Sequence, residues 1–335
     1  MLARRMARAF QPGKIVTIHV YDFTGRNTRV TPPNSSRSHP RSSLSSNNRS
    51  RFGFRAPRSC SLVPPVVSLP AVPLPLSVVI VAKNEAHNLP RCLASVQGWT
   101  AESVVVLNDT TDTSEPVARG CGARVASLPW QGYRDTKNAA LALASHEWVL
   151  SLDADEEVSP RLRDAIIAFF QRPDVASFAA ARFPRKVWFI NRWITHGDWY
   201  PDHCVRLIQR SRARWGGDAF VHEKMECDGP VETLRGDLHH FSFPTLASHV
   251  GKINPFADLF LRQQQARGKR FSTAAAVFRP SWRFFRGYVL RRGFLDGYPG
   301  FYIAIATAFG ALVRYSRLYE AEQRKQPPDE LGRVN

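Results

Sequence analysis

The sequence predicts an α/β fold in which a doubly wound, mostly parallel sheet carries helices on both faces. Short apolar, β-branched segments alternate with segments whose apolar residues recur at helical spacing. The apolar segments are continuous, as in strands that are buried on both faces. Polar residues and carboxylates follow them directly, and the carboxyl ends of strands are where an open α/β sheet binds its ligands.

The elements alternate regularly over the first half of this region. Four strands are predicted, over residues 76–82, 103–107, 123–128 and 147–152. Three helices are predicted between them, over residues 85–97, 112–122 and 133–145. The second helix closes on a glycine, which is a common C-terminal signal. Strands that alternate with helices favour parallel pairing through crossover connections.

The charge of the chain is concentrated at its two ends. The 335 residues carry a formal charge of +18, and 44% of them are hydrophobic, which is enough for a sizeable core. Residues 1–70 contain 12 Lys or Arg and one acid, and residues 262–292 contain nine Lys or Arg and no acid. The rest of the chain is therefore close to neutral. The basic tail lacks repeated aromatic–basic interleaving, so no nucleic-acid partner is expected.

We expect four regions along the chain. They are a disordered basic, Ser/Pro/Arg-rich extension and linker over 1–75, the α/β domain over 76–250, a helical basic and aromatic segment over 251–320, and a polar tail over 321–335. The first residues lack the long apolar run of a signal peptide. Five widely spaced cysteines without a CxxC pair fit a reducing cytoplasm better than a disulfide framework.

Two aspartates flank an alanine directly after the fourth predicted strand, in the stretch VLSLDADEEVSP. Unpaired carboxylates at this density are costly, so we expect Asp153 and Asp155 to bind a divalent cation. Hard oxygen ligands favour Mg²⁺ or Mn²⁺ shared with a phosphorylated ligand. The alternative is a helix N-terminus, where the helix dipole stabilises acids, and this is the prediction for Glu156 and Glu157. The sequence contains no glycine-rich phosphate loop of the GxGxxG or GxxxxGK[ST] type.

An ordered set of motifs resembles the family 2 glycosyltransferases. The motifs are LSVVIVAKNEAHNLPRCLASV, QGYRDTKNAAL, LSLDADE and GDWYPDHCVRLIQRSRARWGGDAFVHEKM, and the resemblance covers about residues 75–320. Within that family the chain looks like the lipopolysaccharide core β-glucosyltransferase type. The resemblance implies a GT-A fold over 76–250, a nucleotide-sugar donor such as UDP-glucose, and Mg²⁺ or Mn²⁺ bound through a DxD motif. It also implies inverting transfer of a sugar to a lipopolysaccharide-core or similar cell-envelope glycan.

The resemblance also assigns residues to the donor. The residues that would face the base and ribose are Ala82, Asn84, Glu85, Asn108 and Asp109. Lys137 would lie near the donor phosphates or sugar, and Asp153 and Asp155 would bridge the metal to the diphosphate. The family often has an Asp-Ser-Gly-Ser-type stretch where this chain reads LNDTTD, so the donor nucleotide stays open.

The acceptor side offers two carboxylates for the general base of an inverting transfer. Asp202 precedes an apolar strand in YPDHCVRL, and Glu223 lies in VHEK. The acceptor-binding candidates are Trp199, Arg206 and His222. Trp199 could equally be a core aromatic, and His222 a structural histidine. Arg206 pairs with a local carboxylate such as Asp202 or with a substrate phosphate.

The C-terminal segment mixes arginines and aromatic residues around a weakly polar stretch, residues 299–313. Fifteen residues are too few to span a bilayer, but their flanks are typical of interfacial helices on an anionic leaflet. We expect a cytoplasmic enzyme that is peripheral on the inner face of the cytoplasmic membrane, near a lipid-linked glycan acceptor. The alternatives are a helix packed on the protein's own core, or a dimer contact.

Two other functions fit parts of the sequence. A sugar-nucleotide nucleotidyltransferase would need a Gly- and Arg-rich phosphate loop, and AKNEAHNL has no glycine. A non-enzymatic protein could bind nucleic acid or an anionic surface through its basic ends. Deletion of residues 1–70 separates the two classes, because nucleic-acid binding would vanish whereas transferase activity would survive.

Overall fold

The computed structural model describes residues 69–217 and 224–324, which form one large sheet, a small two-stranded sheet and a set of C-terminal helices. The strands are β1 (Leu74–Ala82), β2 (Thr100–Leu107), β3 (Arg124–Ser127), β4 (Trp148–Asp153), β5 (Glu156–Val158), β6 (Ala180–Phe189), β7 (Arg192–Trp193), β8 (Asp202–Gln209), β9 (Ala213–Gly216), β10 (Lys224–Cys227), β11 (Val231–Thr233) and β12 (Leu238–Phe243). The helices are α1 (Leu89–Ala94), α2 (Ser114–Gly120), α3 (Tyr133–Leu141), α4 (Pro160–Phe170), α5 (Leu246–Gly251), α6 (Ile253–Ala266), α7 (Thr273–Phe285) and α8 (Gly297–Gln323).

The large sheet has the order β3-β2-β1-β4-β8-β6-β12-β5, with β7 and β11 beside β6. Its first four strands are parallel, which confirms the predicted alternation of strands and helices. From β4 onward the sheet becomes mixed, because β8 runs antiparallel to both β4 and β6. The α/β fold class is therefore confirmed, and the antiparallel half is an addition that the sequence pattern did not predict.

Alternate residues of the central strands point into two separate cores. Val78 and Ile80 of β1 pack with helices α1, α2 and α4, whereas Val79 packs with α3 on the other face. In β4, Leu150 packs in the same core as Val78 and Ile80, and Val149 packs in the same core as Val79. A strand buried on both faces needs apolar residues at every position, which explains the continuous apolar runs in the sequence.

The predicted first helix is shorter than its periodicity indicated. It begins at Leu89 rather than at residue 85. Asn84 has a φ of +56°, which a right-handed helix does not allow. Its side-chain oxygen accepts hydrogen bonds from the backbone N–H groups of Thr111 and Asp112. The side chain therefore ties the loop after β1 to the loop after β2.

The directions of the strands bring the candidate site residues together at one edge of the sheet. Ala82, Leu107 and Asp153 end β1, β2 and β4, which are parallel, so they lie at the same edge. Because β8 is antiparallel to β4, its first residue, Asp202, lies toward that edge as well. The antiparallel pairing of β12 with β5 places His240 opposite Glu156.

The described part of the chain ends in helices α6, α7 and α8, with residues 286–290 as a π-helical extension of α7. Helix α8 contains the whole weakly polar stretch 299–313 and packs against α6 and α7. Gly300 lets α8 pass close to the backbone of Gly293, because a Cβ at position 300 would overlap the carbonyl oxygen of Gly293. Over residues 69–217 and 224–324, no helix combines the length and apolarity that crossing a bilayer requires.

Candidate active site

A cleft of about 380 Å³ opens at the carboxyl ends of β2 and β3. It is lined by Leu107, Asp109, Thr110, Asp112, Glu115, Ser127, Leu128 and Pro129. Asp109 has a φ of +46°, and its carboxylate lies 3.4 Å from Lys83 Nζ. Asn108 is buried, and its backbone N–H donates to the carbonyl of Ala82. Three of the lining residues are acidic, so the cleft suits a bound group that carries hydrogen-bond donors.

Glu85 stands between this cleft and the DxD stretch. Its backbone N–H donates to Ser114 Oγ at 2.9 Å, and its carboxylate accepts from Asn88 Nδ2 at 2.8 Å. Burial raises the pKa of Glu85, the Asn88 hydrogen bond opposes that rise, and the nearby Asp155 adds to it. The loop after β1 therefore brings a second acid close to Asp155.

Asp153 is held by two cations of the protein itself. Lys137 of α3 places Nζ 3.1 Å from its Oδ1, and the Arg206 guanidinium contacts its Oδ2. Burial alone would raise the pKa of Asp153, but the charges of Arg206 and Lys137 hold that pKa well below its ordinary value. Asp153 is therefore ionised and already neutralised by neighbouring side chains.

A chain of alternating charges continues from Asp153 to the predicted base. Arg206, whose side chain is 5% exposed, donates to Glu156 at 2.7 Å, and Arg185 lies 3.4 Å from the same carboxylate oxygen. Arg185 also donates through two nitrogens to Asp202 Oδ2, at 2.7 and 3.1 Å. Three carboxylates and three cations, with Lys137 included, thus balance one another.

One sequence expectation about this chain of charges was wrong, and another was right except for the partner. Glu156 does not lie at a helix N-terminus: it lies in β5 and is fully buried, and α4 begins at Pro160 with Ser159 as its N-cap. Glu157 also belongs to β5. Arg206 does pair with local carboxylates, but with Asp153 and Glu156, while Arg185 takes Asp202.

Asp155 faces a histidine that sequence analysis missed. His240 Nε2 lies 3.3 Å from Asp155 Oδ2, because β12 pairs with β5. Burial opposes ionisation of Asp155, yet the hydrogen bond and charge of His240 lower its pKa. The sequence signal for His240 was weak, because it is one of two adjacent histidines in the mixed stretch LHHFSF, 85 positions after Asp155.

The loop between β7 and β8 leads into Asp202 and is held by the C-terminal segment. The buried carboxylate of Asp296, 1% exposed, accepts from both backbone N–H groups of Thr195 and His196 and from the Thr195 hydroxyl. His196 Nδ1 lies 3.2 Å from the same carboxylate. The backbone carbonyl of Arg291 accepts a hydrogen bond from the Gly197 N–H. We name residues 194–201 the β7–β8 loop.

Of the remaining sequence candidates, the structure describes Trp199 but not His222 or Glu223. Trp199 packs against Phe189, Phe243 and His249, with ring centroids 5.2–5.3 Å apart. Its core alternative therefore has direct support. His222 and Glu223 lie outside the described residues, as do residues 1–68 and 325–335.

Comparison with known proteins identifies the family of this fold and site. Residues 77–225 match the family model described as Glycosyl transferase family 2. These residues form a family 2 glycosyltransferase domain. The lipopolysaccharide core biosynthesis glycosyltransferase LpsC of Rhizobium meliloti is 29% identical over 262 residues, which cover 76% of this chain and 96% of that protein. An uncharacterised glycosyltransferase of Rickettsia prowazekii is 28% identical over 265 residues, covering 75% and 89%.

Solved structures similar to this glycosyltransferase include TarS 1–349 of S. aureus. It matches with a TM-score of 0.38 and 12% identity over 76% of this chain and 92% of that chain. The glucosyl-3-phosphoglycerate synthase of Mycobacterium tuberculosis, in complex with Mn²⁺, UDP and glucosyl-3-phosphoglycerate, matches with a TM-score of 0.28 and 24% identity. That match covers 32% of this chain and 43% of the mycobacterial one, so it spans less than half the length of that enzyme.

The glycosyltransferase offers one carboxylate and one imidazole to a divalent cation. Asp155 and His240 lie side by side, and among the described residues the ion-pair partner of Asp155 is His240 rather than a lysine or arginine. No group of three or more His, Cys, Asp and Glu in that part of the chain forms a closed metal site. An open site that is completed by substrate phosphates is how Mg²⁺-type ions are usually held, so these residues fit the cation.

Arg206 of the glycosyltransferase can be tested for its structural contribution. Replacing Arg206 by methionine leaves Glu156 and Asp153 with less compensation in a buried place, and we expect the free energy of unfolding to fall by about 3–5 kcal/mol. Urea unfolding followed by circular dichroism measures this. The matched control is Arg214→Met, which removes an exposed pair with Glu226 and should cost about 0–1 kcal/mol. Equal losses in the two variants would contradict the assignment of Arg206 as a buried counter-ion.

Proposed function

We propose that this glycosyltransferase transfers a sugar with inversion from a nucleotide-sugar donor, UDP-glucose, to a lipopolysaccharide-core or similar cell-envelope glycan. The observation that carries the proposal is the environment of the DxD pair at the end of β4. Asp153 is neutralised by protein cations, whereas Asp155 faces His240 and stays available. The two aspartates thus have different electrostatic surroundings, as two different tasks would require.

The nucleoside of the donor occupies the cleft beside β2 and β3 in this proposal. Asp109, at its mouth, accepts a hydrogen bond from a base N–H, such as the one uracil carries. Asn84 shapes the cleft by holding the two loops together, and the hydrogen bond from the Asn108 N–H to the Ala82 carbonyl joins the ends of β2 and β1 beside it. Glu85 faces the ribose, and Lys137 approaches the phosphates from α3.

Asp155 and His240 would hold Mg²⁺ or Mn²⁺ against the donor diphosphate. The cation would supply charge stabilisation for the leaving diphosphate. Because imidazole is a softer ligand than carboxylate and Mg²⁺ prefers oxygen, we expect Mn²⁺ to support more activity than Mg²⁺. Arg206 sits too deeply to meet the acceptor directly, and it fixes Asp153 and Glu156 in place.

Asp202 acts as the general base in this proposal. It is half exposed, and the two hydrogen bonds from Arg185 fix its carboxylate while leaving Oδ1 for the acceptor hydroxyl. Oδ1 would take the hydroxyl proton as the acceptor oxygen attacks the anomeric carbon. Glu223 remains the alternative base. His222 and Trp199 remain the candidates for contact with the acceptor.

The acceptor class rests on one relative and on the surface of the C-terminal segment. The Rhizobium meliloti relative is named for lipopolysaccharide core biosynthesis. A core acceptor carried on a lipid would place this enzyme at the inner face of the cytoplasmic membrane. Residues 262–292, which carry nine basic residues and no acid, are suited to an anionic leaflet.

A donor panel tests the proposed reaction. Purified protein is incubated with UDP-, GDP- and ADP-sugars in Mn²⁺, in Mg²⁺ and with EDTA, and the released nucleoside diphosphate is measured by chromatography. We expect UDP release from UDP-glucose in Mn²⁺, less in Mg²⁺, and none with EDTA. Undiminished release with EDTA would overturn the assignment of a metal to Asp155. Preference for a GDP- or ADP-sugar would overturn the donor assignment but not the transferase.

A further inference from the structure

The C-terminal helices expose an unusually apolar surface. Thirteen large hydrophobic side chains between residues 277 and 312 are exposed, in a chain segment of 36 residues. They are Val277, Phe278, Trp282, Phe285, Val289, Leu290, Phe294, Leu295, Tyr298, Phe301, Ile305, Phe309 and Leu312. Val277, Phe278, Trp282 and Phe285 share one face of α7, and the five from Tyr298 onward share one face of α8. The other four lie in the turns that connect these two helices. We name this set the aromatic face; apolar patches of this kind mark sites of protein or membrane contact.

Three arginines at the edge of this face converge on one carboxylate. Asp198 of the β7–β8 loop, 7% exposed, accepts from Arg286 at 2.7 Å and lies 3.4 Å from Arg291 and 3.8 Å from Arg283. Two positive charges are therefore in excess. Among the described residues, neither Asp198 Oδ2 nor Arg286 Nε has a hydrogen-bond partner. We name Arg283, Arg286 and Arg291 the arginine cluster.

The arginine cluster and the aromatic face adjoin along the same helix. Arg283 lies on α7 and Arg286 on its π-helical extension, and helical spacing places both on the flank beside the face that carries Trp282 and Phe285. Guanidinium groups bind phosphate oxygens through several hydrogen bonds at once, and aromatic rings settle at the boundary between headgroups and acyl chains. The two groups therefore match the two layers of a phospholipid surface.

We propose that the aromatic face docks on an anionic phospholipid bilayer and that the arginine cluster binds the headgroup phosphates. This inference rests on the proposed function, since it supplies the surface through which the enzyme reaches a lipid-linked acceptor. Charge complementarity selects the occupant: the segment from 262 to 292 contains no acid that would bind a basic partner. Docking would also affect the candidate active site, because Asp198, which pairs with Arg286, belongs to the β7–β8 loop that leads into Asp202.

Vesicle flotation of the full-length protein tests the docking without donor or acceptor. The vesicles are phosphatidylcholine, with or without phosphatidylglycerol, and the variants are wild type, Phe278→Ser/Trp282→Ala, Arg283→Gln and the matched charge control Arg214→Gln. We expect binding to the anionic vesicles only. The apolar double variant should lower the partition coefficient about tenfold or more, and Arg283→Gln about fivefold. Arg214→Gln, on β9, should leave it unchanged.

Three outcomes would overturn the proposal. Equal binding by wild type and the double variant would mean that the basic residues 1–70 alone attract the vesicles. Loss of binding in millimolar inorganic phosphate at constant ionic strength, without loss in an equivalent chloride control, would indicate a small-anion site. A wild-type dimer that the double variant converts to monomer, with no vesicle binding by either, would make the aromatic face a contact between two copies.

The test is separable from the proposed reaction. Release of UDP from UDP-glucose is measured on the same variants without vesicles, and it should match wild type in the double variant. Vesicle binding without donor cleavage would refute the transfer proposal and leave the docking proposal standing. Donor cleavage without vesicle binding would do the reverse.

Discussion

Replacing Asp155 by asparagine is expected to lower the rate of sugar transfer by about 10³-fold or more. The substitution keeps the size of the side chain but removes the one carboxylate that the structure leaves facing His240. Loss of the charge would remove the electrostatic stabilisation of the leaving diphosphate, which is worth several kcal/mol. The measurement is kcat/KM for UDP-glucose in Mn²⁺, with Mn²⁺ binding in the presence of UDP followed by calorimetry.

The matched control is Glu157→Gln, which removes a carboxylate two residues further on. Glu157 pairs with Arg91 and His239 outside the DxD pair, so its loss should change kcat/KM little. His240→Asp gives a sharper test, because it exchanges the imidazole for a carboxylate and should shift the metal preference from Mn²⁺ toward Mg²⁺. Asp155→Asn with wild-type kcat and metal affinity would show that Asp155 has no part in the reaction.

Replacing Asp202 by asparagine should lower kcat by about 10²–10⁴-fold while the KM for the donor stays the same. The amide cannot take a proton from the acceptor hydroxyl, but it can still accept the hydrogen bond from Arg185, so the site keeps its geometry. Steady-state kinetics with a detergent-solubilised acceptor measures the two constants separately. Thermal unfolding of the variant checks that the fold is retained.

Glu223→Gln is the variant that separates the two candidate bases. A large loss of kcat in Glu223→Gln, together with a small loss in Asp202→Asn, would transfer the role of base to Glu223. Equal moderate losses would indicate that neither carboxylate alone takes the proton. Our proposal takes Asp202 as the base because Arg185 fixes its carboxylate within the chain of charges that starts at Asp153.

The parallel half of the fold follows from local sequence pattern, and the antiparallel half does not. Strands β1, β2 and β4 contain continuous apolar runs, so each of these three could be predicted without knowing its neighbours. Strand β5 has three residues and contains Glu156, whose burial depends on Arg206, 50 positions away. A glutamate in such a place has the local appearance of a helix-start acid, and only the pairing of distant strands reveals its actual surroundings.

The candidate site divides in the same way. The resemblance located Asp153, Asp155 and Asp202 because these acids stand next to strands in short motifs. It did not locate His240 or Arg185, since their relation to the acids is set by strand register rather than by spacing. Trp199 was open between sugar contact and core, and its packing against Phe189 and Phe243 depends on elements far apart in sequence.

The hold of Asp296 on the β7–β8 loop has a consequence for the timing of folding. Asp296 lies 101 positions after Thr195, so strands β1 to β8 are synthesised long before the carboxylate that fixes this loop. Domains begin to fold during synthesis, whereas contacts of such long separation form late. A nascent chain could therefore form the cleft beside β2 and β3 while the loop before Asp202 is still loose. That loop would be fixed last, when the aromatic face has also emerged from the ribosome.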